Sequence, residues 1–269
     1  MKGVFFLIIV SFIILPVSGQ NAKEYYNQGV AKFSLKDYKG AIADFSKVIE
    51  LNPKVVIAYF NRGVAKSELQ DYKGAIADFT KTIEFNPKDF EAYYYRGLTK
   101  RDLKDYYGGI DDLTKAIEIN SDFAKSYSGR GFLRYDLQEY NSAINDFNKA
   151  IQIDNANPKA FLGRAIVKYS IKDFKGAIDD FTMAINLNPK YEEAYSGRGN
   201  AKGHIPDVKG AIEDYTKALE INPKDANVYY LRGLAKVVSG EIKNGCTDFN
   251  RAKELGSAEA LTAIKEYCH

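Results

Sequence analysis

Six times in this chain an arginine is followed sixteen residues later by an aspartate: Arg62 and Asp78, Arg96 and Asp112, Arg130 and Asp146, Arg164 and Asp180, Arg198 and Asp214, Arg232 and Asp248. A guanidinium set against a carboxylate is chemistry that catalysis uses, to anchor an anion or to tune an acid. Repetition argues the other way, because an active site is needed once and a packing solution is needed in every copy. The row is expected to be a structural ion-pair ladder, formed within a helix pair or across to its neighbour, worth about 0.2–1 kcal/mol per exposed pair. Other reactive side chains are sparse. His204 and His269 are the only histidines, and Cys246 and Cys268 the only cysteines. No His, Cys and carboxylate cluster has metal-ligand spacing, and neither a nucleophile elbow nor a phosphate-cradling glycine loop is present. The chain is therefore not expected to be an enzyme, nor to use a metal or a cofactor.

The elements that carry these residues repeat with them. A step of 34 residues leads from Gly29 to Gly63, Gly97, Gly131, Ala165, Gly199 and Gly233, and from Asp44 through Asp78 to Asp248 without exception. The same step links Tyr25, Tyr59, Tyr93, Tyr127, Phe161, Tyr195 and Tyr229. Self-similarity at a fixed period, with no insertion, marks an array of stacked supersecondary units.

Each unit reads as a helical hairpin, since apolar residues recur at three- and four-residue spacing and restart after a turn signal. In Ala58–Pro87, Tyr59, Gly63 and Lys66 share a face of the first helix, and Ala75, Phe79 and Thr82 share a face of the second. Asp71 caps the second helix and Asn86-Pro87 ends it. Gly63 is expected to face Ala75, so that the two helices approach closely while Tyr59 and Phe79 fill the space around them. Mid-helix glycine costs about 1 kcal/mol against alanine, so its recurrence implies that close packing outweighs propensity. Ser121 and Asn155 in place of proline, Gly108-Gly109, and Gly203-His204-Ile205-Pro206 are candidate bends.

Period, aromatic, Gly, Ala, aromatic, Ala and Pro together resemble the tetratricopeptide repeat. The resemblance covers seven units in continuous register over 22–256, with Tyr or Phe where that family often has Trp, and Lys66, Lys100 and Arg134 where it often has Tyr. It implies an all-α fold, a right-handed α-solenoid or superhelix of helix-turn-helix hairpins, whose first helices line a concave groove. Carried over place by place, the groove stripe is Tyr26, Val30 and Phe33, then Phe60 and Val64, Tyr94 and Leu98, Phe132 and Tyr135, and Leu162, Ile166 and Tyr169. It fades to Ser196, Asn200 and Gly203. Gly129, Gly163 and Gly197 would hollow the wall beside it. Tyr26, Phe60, Tyr94, Phe132, Tyr135 and Tyr169 are the partner-binding candidates, with packing between adjacent units as the alternative. The terminal-carboxylate grip of cytosolic co-chaperones in this family is not matched: Tyr26 and Val30 occupy its places in the first unit, leaving Asn27 and Asn61.

The array does not include the first 19 residues. Met1-Lys2 is a short positive start, Val4 to Leu15 an apolar run broken by Ser11, and Val17-Ser18-Gly19 a small-residue cleavage signal. Pro16 ends a run shorter than the roughly 20 residues that span a bilayer. The reading is a signal peptide over 1–19 and export, to a periplasm or beyond the cell, with no membrane span after cleavage. Net charge of +3 gives no electrostatic case for nucleic acid.

Export gives the even cysteine count meaning, since secreted chains favour pairing over free thiols. Cys246 lies eleven residues before Ser257 and Cys268 eleven after it. Antiparallel helices joined there would bring them together, and similar GC…DF…A…LG…YC endings in exported bacterial repeat proteins support a disulfide. It would hold a capping helix in 257–269 over the apolar face that an open array exposes. The functional expectation is a scaffold that binds a protein or peptide in the aromatic-lined groove. A small-molecule or glycan carrier, or a self-associating structural scaffold, are the alternatives.

Overall fold

The computed structural model describes residues 20–268. The signal-peptide assignment at 1–19 lies outside them, as does His269. The described residues form fifteen α-helices and no strand. They are α1 (Gln20–Ser34), α2 (Tyr38–Leu51), α3 (Val56–Glu68), α4 (Tyr72–Phe85), α5 (Phe90–Asp102), α6 (Tyr106–Ile119) and α7 (Ala124–Asp136), followed by α8 (Tyr140–Ile153), α9 (Pro158–Ser170), α10 (Phe174–Leu187), α11 (Glu192–Gly203), α12 (Val208–Ile221), α13 (Ala226–Val238), α14 (Ile242–Glu254) and α15 (Glu259–Tyr267). Two compact units contain them, one up to Leu137 and one from Gln138. In the first unit α1 pairs with α2, α3 with α4 and α5 with α6, and in the second α9 pairs with α10, α11 with α12 and α13 with α14. Each second helix also packs on the first helix of the following hairpin, and alternate first helices touch, α3 with α5 and α11 with α13. Both units are thus all-α solenoid segments.

Local chemistry sets the helix limits. Asp37, Asp71, Asp105, Asp173 and Asp207 each accept the N–H of the glycine three residues on, satisfying one orphan donor of the second helix. At the other end Asn52, Asn86, Asn188 and Asn222 accept the N–H two residues on, which turns the chain into the next hairpin. Where proline is missing, Asn120 and Asp154 make the same turn by accepting from Asp122 and Ala156, at 3.1 Å in both cases. Ser121 and Asn155 therefore leave the helix ends unchanged. Across Gly108-Gly109 helix α6 runs unbroken.

The turn inside the hairpin is held differently. Lys36, Gln70, Lys104, Gln138 and Lys172 sit in the left-handed region, with φ between 61° and 64°. Glycine takes the corresponding place at Gly240, φ 88°. A side chain there costs about 1 kcal/mol, so Gln70→Gly should raise resistance to urea by about that amount, measured from the shift in unfolding midpoint. Pro206 occupies the equivalent place after α11, and its ring fixes φ near −65°. The left-handed turn is then excluded, α11 ends at Gly203, and the Asp207 N–H turns back to Ile205 O at 2.7 Å.

Packing inside each hairpin rests on the repeating glycine. A Cβ added at Gly63 would lie 2.9 Å from Cε1 of Phe79, and one at Gly29 2.8 Å from Phe45. The atoms nearest Gly63 are thus those of the Phe79 ring and not Ala75. Phe79 is fully buried, worth about 2–3 kcal/mol. Where the second helix also carries glycine the backbones themselves meet, and a Cβ at Gly97 would come within 2.9 Å of the Gly109 carbonyl oxygen. Gly109 is a close-approach site and Gly108 lies against the Asp105 cap, so the pair is not a bend.

Candidate functional site

The arginine–aspartate row is internal. Arg62 on α3 donates from Nε and Nη2 to Asp78 on α4, at 2.9 and 2.7 Å, and from Nη1 to Ser46 Oγ on α2 at 3.0 Å. Lys66 adds a contact of 2.7 Å to the same carboxylate, and the guanidinium lies over the Tyr59 ring. Arg96, Arg164, Arg198 and Arg232 repeat the fork on Asp112, Asp180, Asp214 and Asp248. Their Nη1 groups reach back to Thr80, Asn148, Thr182 and Thr216. One arginine therefore ties its own hairpin to the preceding one, which resolves the two geometries the sequence allowed. These aspartates are 3–4% exposed, so the energy scale of exposed pairs does not apply. The hydroxyl partners were legible as a series, Ser46, Thr80, Thr114, Thr182 and Thr216, at the same 34-residue step.

The aromatic stripe divides. Tyr26, Phe60 and Tyr94 are buried, at 7%, 2% and 9% exposure, and belong to the core between hairpins. Tyr26 Oη accepts from Asn61 Nδ2 at 3.1 Å, Phe60 meets Tyr95 edge-on at 5.3 Å, and Tyr94 lies 5.2 Å from Phe123. Of the two roles expected for these three, partner binding and packing between adjacent units, their burial is that of the second. Their place, one residue beyond the first aromatic of the helix, points into the seam between hairpins, where a ring buries more apolar area than it would at the surface. Burial raises the hydroxyl pKa of Tyr26 and of Tyr94.

Phe132 and Tyr135 in the first unit and Tyr169 in the second are half-buried. Arg101 stands over the Phe132 ring at 5.5 Å and is fixed by Asp136 at 2.6 Å. Tyr169 Oη lies 2.9 Å from His204 Nε2, and the His204 ring stacks on Phe174 at 4.5 Å. Gly129 and Gly197 do not hollow this face: added Cβ atoms would meet Leu113 and Leu98 at 3.3 Å, and Phe181 at 2.5 Å. Their absent side chains make room for core residues.

Glu192 opens α11 at a place where other hairpins carry Val56, Phe90, Ala124, Pro158 and Ala226. Burial, then the Asp225 carboxylate, then Glu193, push it from the ordinary 4.5 up to about 7. The folded protein then binds this proton more tightly than the unfolded chain. The penalty is absent below pH 4.5, grows up to pH 7 and is constant above. Glu192→Gln should leave stability at pH 4 unchanged and raise it at pH 8 by about 1 kcal/mol, because solvent screens a half-exposed carboxyl well below the full linkage value. Urea titrations at the two pH values measure the difference.

Cys246 and Cys268 are joined, with sulfurs 1.97 Å and Cα atoms 5.7 Å apart. Among the described residues no group of three or more His, Cys, Asp or Glu is placed to hold a metal ion, and no helix is long and apolar enough to cross a membrane. An open recess in the second unit is lined by Tyr195, Arg198, Ile212, Glu213, Asp214, Thr216 and Lys217. Arg198 and Asp214 there are bonded to each other.

Comparison with known proteins accounts for this repetition. Family models described as tetratricopeptide repeat match residues 22–55, 56–89 and 90–123, and one described as TPR repeat matches 133–172 and 207–238. A comparison with curated proteins finds no match. Among solved structures, the chain is similar to a tetratricopeptide repeat protein from Parabacteroides merdae, at 21% identity, covering 93% of this chain and 98% of that one, with a TM-score of 0.70. It is also similar to YrrB, described as a TPR protein with an unusual peptide-binding site, at 23% identity over 70% of this chain and 97% of that one, TM-score 0.58. MamA aligns at 26% identity over 61% of this chain and 96% of its own, TM-score 0.56. With its unbroken 34-residue register, its glycine-on-phenylalanine hairpins and these matches, the chain belongs to the tetratricopeptide repeat family.

Proposed function

We propose that the chain is an exported protein-interaction scaffold that takes a peptide segment of a partner on the first-helix face of a unit. The observation that carries this reading is the division of the aromatic stripe. Three of the six candidates are sealed in the seams, whereas Phe132, Tyr135 and Tyr169 are half-buried, Phe132 under an Arg101 that Asp136 fixes in one unit and Tyr169 against His204 in the other. Aromatic side chains with a polar neighbour are what peptide recognition uses for anchoring and orientation. Tetratricopeptide repeat proteins in general mediate protein–protein interactions, and the peptide-binding site of YrrB supports the same use here. The scaffold carries out no chemistry on its partner. Export to a periplasm or the medium is supported by the apolar leader and by the disulfide, which oxidising compartments preserve.

The test is affinity capture from the envelope fraction of the native host, comparing wild type with Tyr135→Ala/Tyr169→Ala, folding being checked by far-UV circular dichroism. A partner retained by wild type and depleted at least tenfold by the folded variant is the expected result. Equal recovery places the site elsewhere. Intact mass of the protein from the same fraction checks export: the expected species starts at Gln20 and carries no free thiol.

A further inference from the structure

We propose that α15 is a redox-held lid over the apolar seam of the last hairpin, docked while Cys246 and Cys268 are joined and released when they are reduced. The helix is nine residues long, shorter than helices that persist alone in water. It buries Ala260 and Ala263 fully, with Ile264 and Tyr267 half-buried. Two ties bracket it. At its start the chain turns at Gly256, φ 96°, with Ser257 N–H donating to Ala252 O. At its end Cys268 is bonded to Cys246 in the second turn of α14.

The seam beneath is one that other hairpins close with a full first helix. In the first unit the Tyr95 ring of α5 lies 6.1 Å from Phe79 of α4, and in the last hairpin Tyr267 lies 6.2 Å from Phe249 of α14. Tyr267 thus does for Phe249, which is fully buried, what Tyr95 does for Phe79. The cover is shorter than the thirteen-residue α5, and Val238 and Ile242 stay 72% and 51% exposed beyond it. Both cysteines are half-buried, within reach of a small thiol. A dithiol reductant opens the bond in balanced steps. Its thiolate attacks one sulfur and displaces the other as a thiolate, which takes a proton. Its second thiol then resolves the mixed disulfide, leaving two cysteine thiols and the cyclic oxidised reductant.

Hydrogen exchange read by mass spectrometry on the full mature protein, oxidised and in dithiothreitol, tests this, with the Cys246→Ser/Cys268→Ser variant as a second route to the open form. Thiol alkylation verifies reduction. The expected result is at least tenfold faster exchange in α15 and the facing turns of α14, with α9 to α12 unchanged, and dye binding to the uncovered Phe249 seam. Unchanged protection of α15 in the reduced protein and the variant would show that packing alone docks the helix. Loss of helix content throughout the second unit would make the bond a global staple, and a disulfide resistant to dithiothreitol in the folded protein would remove the switch; each overturns the proposal.

Discussion

Replacing Arg62 with alanine should cost the first unit about 3 kcal/mol, several times what an exposed ion pair contributes. The substitution removes two charge-assisted bonds to Asp78, one to Ser46 and the cover over Tyr59, and it leaves a carboxylate that is 3% exposed with Lys66 as its remaining cation. Ser46→Ala removes the link to the preceding hairpin, with the Ser46 hydroxyl's bond to Ile42 O, and should cost about 0.5–1 kcal/mol. The coupling is measurable by a double-mutant cycle in urea: Arg62→Ala and Asp78→Ala together should destabilise by much less than the sum of the single changes, because the second removes the charge stranded by the first. Strict additivity would mean that the two side chains do not act as a pair. Arg164→Ala and Arg198→Ala in the second unit should behave alike, since Asp180 and Asp214 are equally buried.

The second large effect is a difference in sign for one chemical change. Gly97→Ala should destabilise by about 2 kcal/mol, and Gly203→Ala should stabilise by about 0.5 kcal/mol. At Gly97 the new methyl meets the Gly109 carbonyl oxygen at 2.9 Å and Leu113 at 3.0 Å, so two helix backbones must separate. At Gly203, the last residue of α11, nothing lies within 4 Å, and the gain in helix propensity is unopposed. Equal effects at the two positions, measured by denaturant unfolding, would mean that the close approach of α5 and α6 is not what glycine serves there.

Behind these two cases the sequence supplied the helical hairpins and the arginine–aspartate interval, whereas the Ser46 bond and the Gly97–Gly109 approach came from the structure. The spacing of glycine, alanine and aromatic residues requires helical hairpins, and Asp71 and Asn86 mark ends that the structure reproduces. Such signals are local: a cap or a turn is made by residues within four positions of one another, so the order of the residues contains the interaction. The pairing of Arg62, Arg96, Arg164, Arg198 and Arg232 with their aspartates is also readable, because repetition converts a contact across a hairpin into a fixed interval. Glu192 was not legible, since its pKa depends on burial and then on Asp225, brought near from the following hairpin.

The stripe of first-helix aromatics shows the limit. Tyr26 and Tyr169 are both tyrosines on first helices, yet one is sealed against Phe45 and Asn61 while the other keeps an edge beside His204. Periodicity assigns residues to a face of a helix, and each first helix has a second helix of its own and neighbours on other sides. Which part of the face remains accessible depends on how far each neighbour's side chains extend. Composition and period by themselves determined the repeat, its helices and the pairing of the repeating arginine with the aspartate, because caps and turns follow from covalent order at short range and a fixed interval carries the contact across a hairpin. The tertiary structure alone decided which aromatics became core and which stayed available to a partner, because burial depends on what several separate helices place around one ring.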